Sequence, residues 1–267
     1  MRKALRIKAT VQPDGKVEIV SPELEAGQTV GRGGAARVQS EGPPRHGNAS
    51  PLETFLQTGR TPLKARRYEP GMPDTPAALQ RCFNTEGASA GTVQGDLALL
   101  DGVLTGFFCS VRCPGDIILK TYDLAKALRG AEMTLIGGFQ SPMEKEFLDV
   151  LLWGRVNVVI CPARGLGNLR VPKSWRAPLA EGRLLILSFF DDNIRRPTVA
   201  SVARRNAYVA AVSNRILVAH AQQNGKTEAL CRHALTSHKP VLTVDSPHNA
   251  HLMALGAARF SADSPSI

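Results

Sequence analysis

The chain has 267 residues, with 33 Lys and Arg against 23 Asp and Glu, a formal net charge of +10 and a pI near 9.7. A 43% apolar and 21% charged composition is that of a globular chain able to bury one or two cores. No window approaches the roughly 18 apolar residues of a membrane span, and the charges Arg2, Lys3, Arg6 and Lys8 interrupt any secretory signal core.

The positive excess favours a polyanionic partner such as nucleic acid, although the Arg-rich stretch at 31–67 carries part of it. Cys82, Cys109, Cys113, Cys161 and Cys231 are odd in number and include no C-x-x-C pair. That fits reduced thiols in a cytoplasm, the expected location, better than a disulfide framework or a zinc site.

In chain order, residues 4–30 alternate apolar and polar around a Pro13-Asp14-Gly15 turn, which predicts a β-hairpin. Residues 7–11 through Val30, with Pro22-Glu23-Leu24 and Gly27-Gln28-Thr29-Val30, resemble the short N-terminal β module of antitoxin-like proteins. A lone hairpin is marginal, so this 1–30 module is expected to pair with a second copy or to dock. Residues 31–75 are rich in Gly, Pro, Arg and Ser without periodicity and read as a disordered, low-complexity linker. The abrupt change after Val30 suggests a joint between unrelated pieces. Residues 76–94 are a lead-in, 95–260 the main domain and 261–267 a tail.

From Gly95 onward, strand and helix patterns alternate. Strands are predicted at 104–111, 133–136, 156–161, 184–188, 216–220 and 240–244. Helices are predicted at 117–128, 142–152, 198–212, 225–236 and, shorter, 247–254. This alternation predicts an α/β fold, a doubly wound, mostly parallel Rossmann-like sheet. Ligands of such sheets bind outside the carboxyl ends of the strands, near the switch in strand order.

The loops at those ends carry the candidate residues. Ser110 and Arg112 precede the 117–128 helix, and the turn is either a phosphate cradle or a plain strand-to-helix connection capped by Asp116. Gly137 and Gly138 permit close approach of a ligand. Ser141, Pro142 and Glu144 spell a capping box that structure alone explains. Arg164 ends the third strand. Arg195, Arg196, Arg204, Arg205 and Asn206 form the densest basic cluster, suited to phosphates and bases or simply a solvated helix face.

Gly225, Lys226 and Thr227 open a helix. A Walker A loop would need glycine at position 220, where His220 stands, so a P-loop is excluded; a phosphate held by the helix start and a plain turn both remain. His233, His238, His248 and His251 match no zinc spacing. No metal, no cofactor and no catalytic triad is expected.

Taken in order, these segments resemble the DNA-processing protein A (DprA/Smf) family of the Rossmann-like SMF/SLOG superfamily, over about 165 residues. Gly95-Asp96-Leu97-Ala98-Leu99-Leu100 resembles its entry segment. Phe108-Cys109-Ser110-Val111-Arg112 stands where the family has a G-S-R turn, with Cys109 for the glycine and Val111 inserted. Ile136-Gly137-Gly138-Phe139-Gln140-Ser141 stands at its S-G-x-A-x-G, and Val158 to Gly165 at its third strand and loop. Arg204-Arg205-Asn206 resembles its R-N-R segment, with Ala207 at the second Arg. Val218-Ala219-His220-Ala221 and Gly225-Lys226-Thr227-Glu228-Ala229 resemble its V-V-E-A…G-S-L-I-T-A run, with His220 for the acid.

The resemblance, to a divergent member, implies non-catalytic single-stranded DNA binding in a basic pocket, homodimerisation, and delivery of DNA to a recombinase during transformation. Its wider superfamily implies nucleotide-derived ligands at the same strand ends. The alternative is a nucleotide-sensing or nucleotide-processing protein like the phosphoribohydrolases, whose P-G-G-x-G-T-x-x-E has Leu230 in place of its Glu here. A third reading makes the hairpin a dimerising or toxin-binding adaptor.

Overall fold

The computed structural model describes residues 65–167 and 169–260, together with two short strands nearer the N-terminus. Those two, β1 (Ala9–Val11) and β2 (Val17–Ile19), pair antiparallel with Ala9 opposite Ile19 and Val11 opposite Val17, as the alternation around the Pro-Asp-Gly turn predicts. The rest of the 1–30 module, linker residues 31–64 and the 261–267 tail lie outside the described residues. The chain divides into two units, 1–48 and 49–267.

In the second unit the elements run β3 (Arg66–Tyr68), α1 (Ala77–Glu86), β4 (Gly91–Gly95), a 3-10 turn (Leu97–Leu100), β5 (Leu104–Cys109) and α2 (Gly115–Leu128). There follow β6 (Thr134–Gly137), α3 (Pro142–Leu152), β7 (Asn157–Ile160), α4 (Lys173–Ala180), β8 (Leu184–Ser188) and α5 (Val199–Val212). Last come β9 (Arg215–His220), α6 (Lys226–Thr236), β10 (Val241–Thr243), a 3-10 turn (Pro247–Asn249), α7 (Ala250–Ala254) and β11 (Ala258–Arg259).

Nine strands form one sheet in the order β11-β10-β9-β5-β6-β7-β8-β4-β3. All pairs are parallel except β3 with β4 and β4 with β8. The chain therefore walks outward from β5 to β8, then returns to lay β9 on the other side of β5. This reversal puts the switch point at the carboxyl ends of β5 and β9.

The apolar runs of the central strands are buried throughout because the sheet is covered on both faces. Alternate residues enter separate cores. Leu104, Phe108, Ile136, Val159, Leu185, Ile216 and Val218 pack with α1, α5 and α6. Phe107, Leu135, Val158, Ile160, Leu184, Leu217 and Ala219 pack with α2, α3 and α4. The second core is anchored by Phe107 stacked on Phe147, ring centroids 3.8 Å apart.

The sheet extends N-terminally beyond the expected start at Gly95. Tyr68, inside the stretch read as linker, is fully buried, and Arg66–Tyr68 pairs with residues 91–93 of β4, which the lead-in was not expected to supply. These pieces escape a periodicity reading because β3 has three residues and β4 begins and ends in glycine. Helix α1 is cut at ten residues by Gly87, in the left-handed region at φ 61°. Helix α4 carries Pro178 inside an eight-residue span, which breaks the pattern a longer helix would show.

Phe147→Ala should cost about 3–5 kcal/mol of stability in urea unfolding, because Phe147 is fully buried in the aromatic stack. Trp153→Ala, at a residue 84% exposed, should change it by no more than about 0.5 kcal/mol.

Candidate functional site

The loop from β6 to α3 is closed by its own hydrogen bonds. Ser141 caps α3, its hydroxyl accepting from the Glu144 amide at 3.3 Å. The buried Glu144 carboxylate returns the bond, accepting from the amides of Ser141 at 3.0 Å and Gln140 at 2.8 Å. This is the expected capping box. The other Glu144 oxygen accepts from the Cys109 amide at 3.0 Å, which ties the end of β5 to the start of α3.

Arg205 continues this network. It projects from α5 and is 3% exposed. Its Nη1 donates to the Cys161 carbonyl at 2.9 Å, its Nη2 to Gln140 Oε1 at 2.9 Å, and its Nε to Asn206 Oδ1 at 2.8 Å. Burial lowers its pKa, with the nearby Glu144 charge opposing that shift. The guanidinium lies against Gly138, where a β-carbon would overlap it. The space opened by Gly138 is thus filled from within the protein. Gly137, also buried, faces the Phe139 ring and the Phe107 carbonyl. Gly137, Gly138, Ser141, Arg205 and Asn206 are brought together here, bonded to or packed against one another.

A second group meets at the switch point. The Ser110 amide donates to the His220 carbonyl at 2.9 Å. Its hydroxyl accepts from the Gln222 amide at 2.9 Å and donates to Thr227 Oγ1 at 3.2 Å. This bridge joins the loop after β5 to the start of α6, so Arg112 and Lys226 come from adjoining loops. Both are exposed and have no hydrogen-bond or ion-pair partner among the described residues. Gly225 is the N-cap residue of α6, and its amide donates to the Gln222 carbonyl at 2.9 Å.

Arg164 belongs to a third group. Its Nη1 donates to the Arg195 carbonyl at 3.3 Å, and the loops after β7 and β8 are zipped by Gly165 N to Ile194 O at 3.0 Å and Gly167 N to Asp192 Oδ1 at 2.7 Å. Arg195 and Arg196 are exposed there. Arg204 is also exposed, on α5, with its guanidinium 5.6 Å from the Tyr208 ring centroid.

The sequence reading missed the polar supports behind the switch point. Glu228, 2% exposed, sits at the third position of α6 as Glu144 does in α3. It accepts from the Asn224 amide at 3.0 Å and from Arg232 at 2.8 and 3.0 Å. An acid three residues into a helix that follows a strand-end loop was the available signal. His220 Nδ1 lies 2.9 Å from Asn249 Oδ1, and Asn249 donates to the carbonyls of Ala219 and Val244. Burial lowers the His220 pKa, against the Asn249 hydrogen bond that raises it. Leu230 packs against the α1–α5–α6 core. Phe139 and Asn224, one in each of these two loops, sit in the left-handed region at φ 47° and 58°, a cost accepted where the loop geometry demands it.

Concavities of about 260 and 230 Å³ lie elsewhere, one between α1, α5 and α6 and one beside α2 and β10; neither is lined by a candidate residue. Among the described residues no group of three His, Cys, Asp or Glu is placed to hold a metal ion, and no helix is long and apolar enough to cross a membrane.

The fold has counterparts among solved structures. DNA processing protein A from Streptococcus pneumoniae superposes with a TM-score of 0.61 at 16% identity, over 74% of this chain and 71% of that one. The chain has the fold of DNA processing protein A. The Helicobacter pylori DprA, whose structure was described for its single-stranded DNA binding mode, gives a TM-score of 0.60 at 16% identity over 77% of this chain and 94% of that one. At this identity the likeness to DprA is one of fold. No protein-family model and no curated protein matches the sequence.

Two outcomes check the structural roles assigned here. Arg205→Ala should destabilise the fold by about 3 kcal/mol, since it strands buried partners of a charged donor. Gly138→Ala should cost at least about 2 kcal/mol by displacing the same guanidinium. Urea unfolding reads both. Because His220 has a folded pKa below its ordinary 6.5, the stability it contributes is complete above that value and falls as pH drops through the depressed one. Unfolding between about pH 7.5 and 5 should show a smaller loss for His220→Gln than for wild type.

Proposed function

We propose that the strand-end edge binds single-stranded nucleic acid, DNA in the first instance, without catalysis. The observation that carries this reading is the Ser110–Thr227 bridge at the switch point, flanked by two exposed cations, Arg112 and Lys226, that have no hydrogen-bond or ion-pair partner among the described residues. Switch points are where open α/β sheets take their ligands. Unpaired, solvated cations there can release counterions to a phosphate chain.

Arg164, Arg195, Arg196 and Arg204 extend the track. With strands about 4.8 Å apart, β5 and β8 are separated by about 14 Å, a span suited to a polymer lying across the edge. The Thr227 hydroxyl, which accepts from Ser110 and keeps its own proton to donate, serves a phosphate oxygen, and the exposed guanidinia of Arg195, Arg196 and Arg204 suit phosphates or stack on bases. The fold of DprA, and the single-stranded DNA binding mode described for the Helicobacter pylori protein, support the same choice of ligand. A homodimer and a recombinase partner belong to this proposal as the family's mode of working.

The buried Arg205 is a poor probe of this interface because its loss acts on the fold. Arg112→Ala and Lys226→Ala are clean probes, both side chains being exposed and without partners among the described residues. Anisotropy of a labelled oligothymidylate should show binding that weakens steeply with salt, with each substitution lowering the slope of log K against log salt by about 0.7. Wild-type affinity and slope in the double variant would remove the switch point from the interface. Release of free base from nucleoside monophosphates would replace this reading by nucleotide processing.

A further inference from the structure

The concavity of about 260 Å³ takes no part in the nucleic-acid reading. Helices α5 and α6 leave the strand-end edge and run back to the other edge of the sheet, where β9 and β10 begin. The cavity lies between their last turns and those of α1, with Ala210 and Ala211 of α5 and Ala234 of α6 in its wall. It is therefore at the opposite edge of the sheet from Ser110 and Thr227.

Two cations line this cavity. Arg81 donates through Nη2 to the Val212 carbonyl at 2.6 Å. Lys239 donates through Nζ to the carbonyls of Ala210 and Ala211, the latter at 3.3 Å. Both side chains are half-buried. A helix end favours one such neighbour, since its last carbonyls lack amide partners and carry partial negative charge. It does not account for a pair: roughly half an elementary charge at the end of α5 faces two full ones. Neither cation has a carboxylate within ion-pair distance among the described residues. Arg81 Nε is buried with no hydrogen-bond partner, a donor taken from water and left unmatched. Burial lowers the pKa of both groups, and the Arg81 charge lowers that of Lys239 further, against the opposing Glu86. The two cations are thus close enough to repel, where water screens them poorly.

We propose that this cavity is a binding site for a small oxyanion, a phosphate or carboxylate group on a compact body, whose charge completes the Arg81–Lys239 pair. Size, wall and donors set the class. The volume falls below the roughly 300–1,000 Å³ of sites for drug-sized ligands, which suits a small molecule and excludes an oligonucleotide. The three alanines give the body an apolar wall. At the rim, the exposed Ser237 hydroxyl has no partner among the described residues and is free to donate to the anion. Thr85 is not, because its hydroxyl already donates to the Arg81 carbonyl at 2.9 Å. Glu86 also lines the cavity, and its carboxylate competes with the anion. Phosphate and carboxylate groups share this recognition by charge-assisted hydrogen bonds, so two probes separate them.

Amide NMR titrations of the full chain at constant ionic strength, with inorganic phosphate in one arm and butyrate in the other, read the site directly. At least one anion should shift the signals of Ala211, Ser237 and Lys239, with a Kd on the order of 1 mM. The arm that does so assigns the head group, and saturation by both assigns recognition to charge alone. Lys239→Met, which keeps the aliphatic stem in its half-buried place, should raise Kd at least about tenfold. Glu86→Gln removes the competing charge and breaks no side-chain hydrogen bond among the described residues. It should lower Kd by about threefold, and it decides alone if Lys239→Met does not fold. The Arg112→Ala, Lys226→Ala double variant should leave this Kd unchanged, which separates the site from the nucleic-acid edge. Shifts from neither anion, shifts confined to residues around Ser110 and Lys226, a Kd that neither Lys239→Met nor Glu86→Gln moves, or weaker binding in Glu86→Gln would each overturn the proposal.

Discussion

The buried polar relay from Cys109 through Glu144 and Gln140 to Arg205 and Cys161 holds the carboxyl edge of this sheet together. A parallel sheet leaves its strand ends with backbone groups that the ladder no longer satisfies, and each buried one carries a desolvation cost. Here one carboxylate accepts from the amides of Cys109, Gln140 and Ser141. One guanidinium donates to the Cys161 carbonyl and to the side chain of the same Gln140. The relay thereby fixes β5, β6 and β7 relative to α3 and α5. Opposite charges buried this deeply, here Glu144 and Arg205 linked through Gln140, are stabilising only when nearly every donor and acceptor has a partner, and these come close.

The second loop, from β9 to α6, repeats the device with different residues. Glu228 turns back on the amide of Asn224, as Glu144 turns back on those of Gln140 and Ser141. Asn224 and Phe139 take the left-handed turn needed to bring the chain into the helix. Two strand-end loops are thus set rigidly from behind, by groups that never reach the surface. What stays outside is the Ser110–Thr227 bridge with Arg112 and Lys226 beside it, exposed cations on a hydrogen-bonded base.

Much of this was legible in the sequence where packing and periodicity agree. The limits of α3 and β8, Pro142–Leu152 and Leu184–Ser188, follow from apolar spacing and the Ser-Pro-x-Glu start. The elements that escaped are those whose order comes from tertiary contact. β3 is three residues long and owes its place to the burial of Tyr68, which no local pattern announces. Among site residues, Arg205 and Gly138 looked like a cation and an open space for a ligand. Only the folded chain puts the first into the second. Their neighbours in sequence, Arg204 and Gly137, differ in fate because a helix turns successive residues about 100° apart and a strand end alternates faces.

This occupancy bears on what kind of ligand the edge can take. Rossmann-type sites hold a pyrophosphate on free amides at a helix start, reached through glycines that let the backbone come close. At the start of α3 those amides belong to Glu144, and the glycine gap belongs to Arg205. At α6 the Asn224 amide just before the helix belongs to Glu228. At α3 a compact nucleotide seeking the usual cradle would have to displace a buried carboxylate. A phosphate chain lying over the edge leaves that wiring in place, because Arg112, Lys226, Arg195, Arg196 and Arg204 are already exposed. The internal wiring of the strand ends therefore argues for an extended polyanion, bound by Arg112, Lys226 and the arginines beyond β7, over a buried dinucleotide.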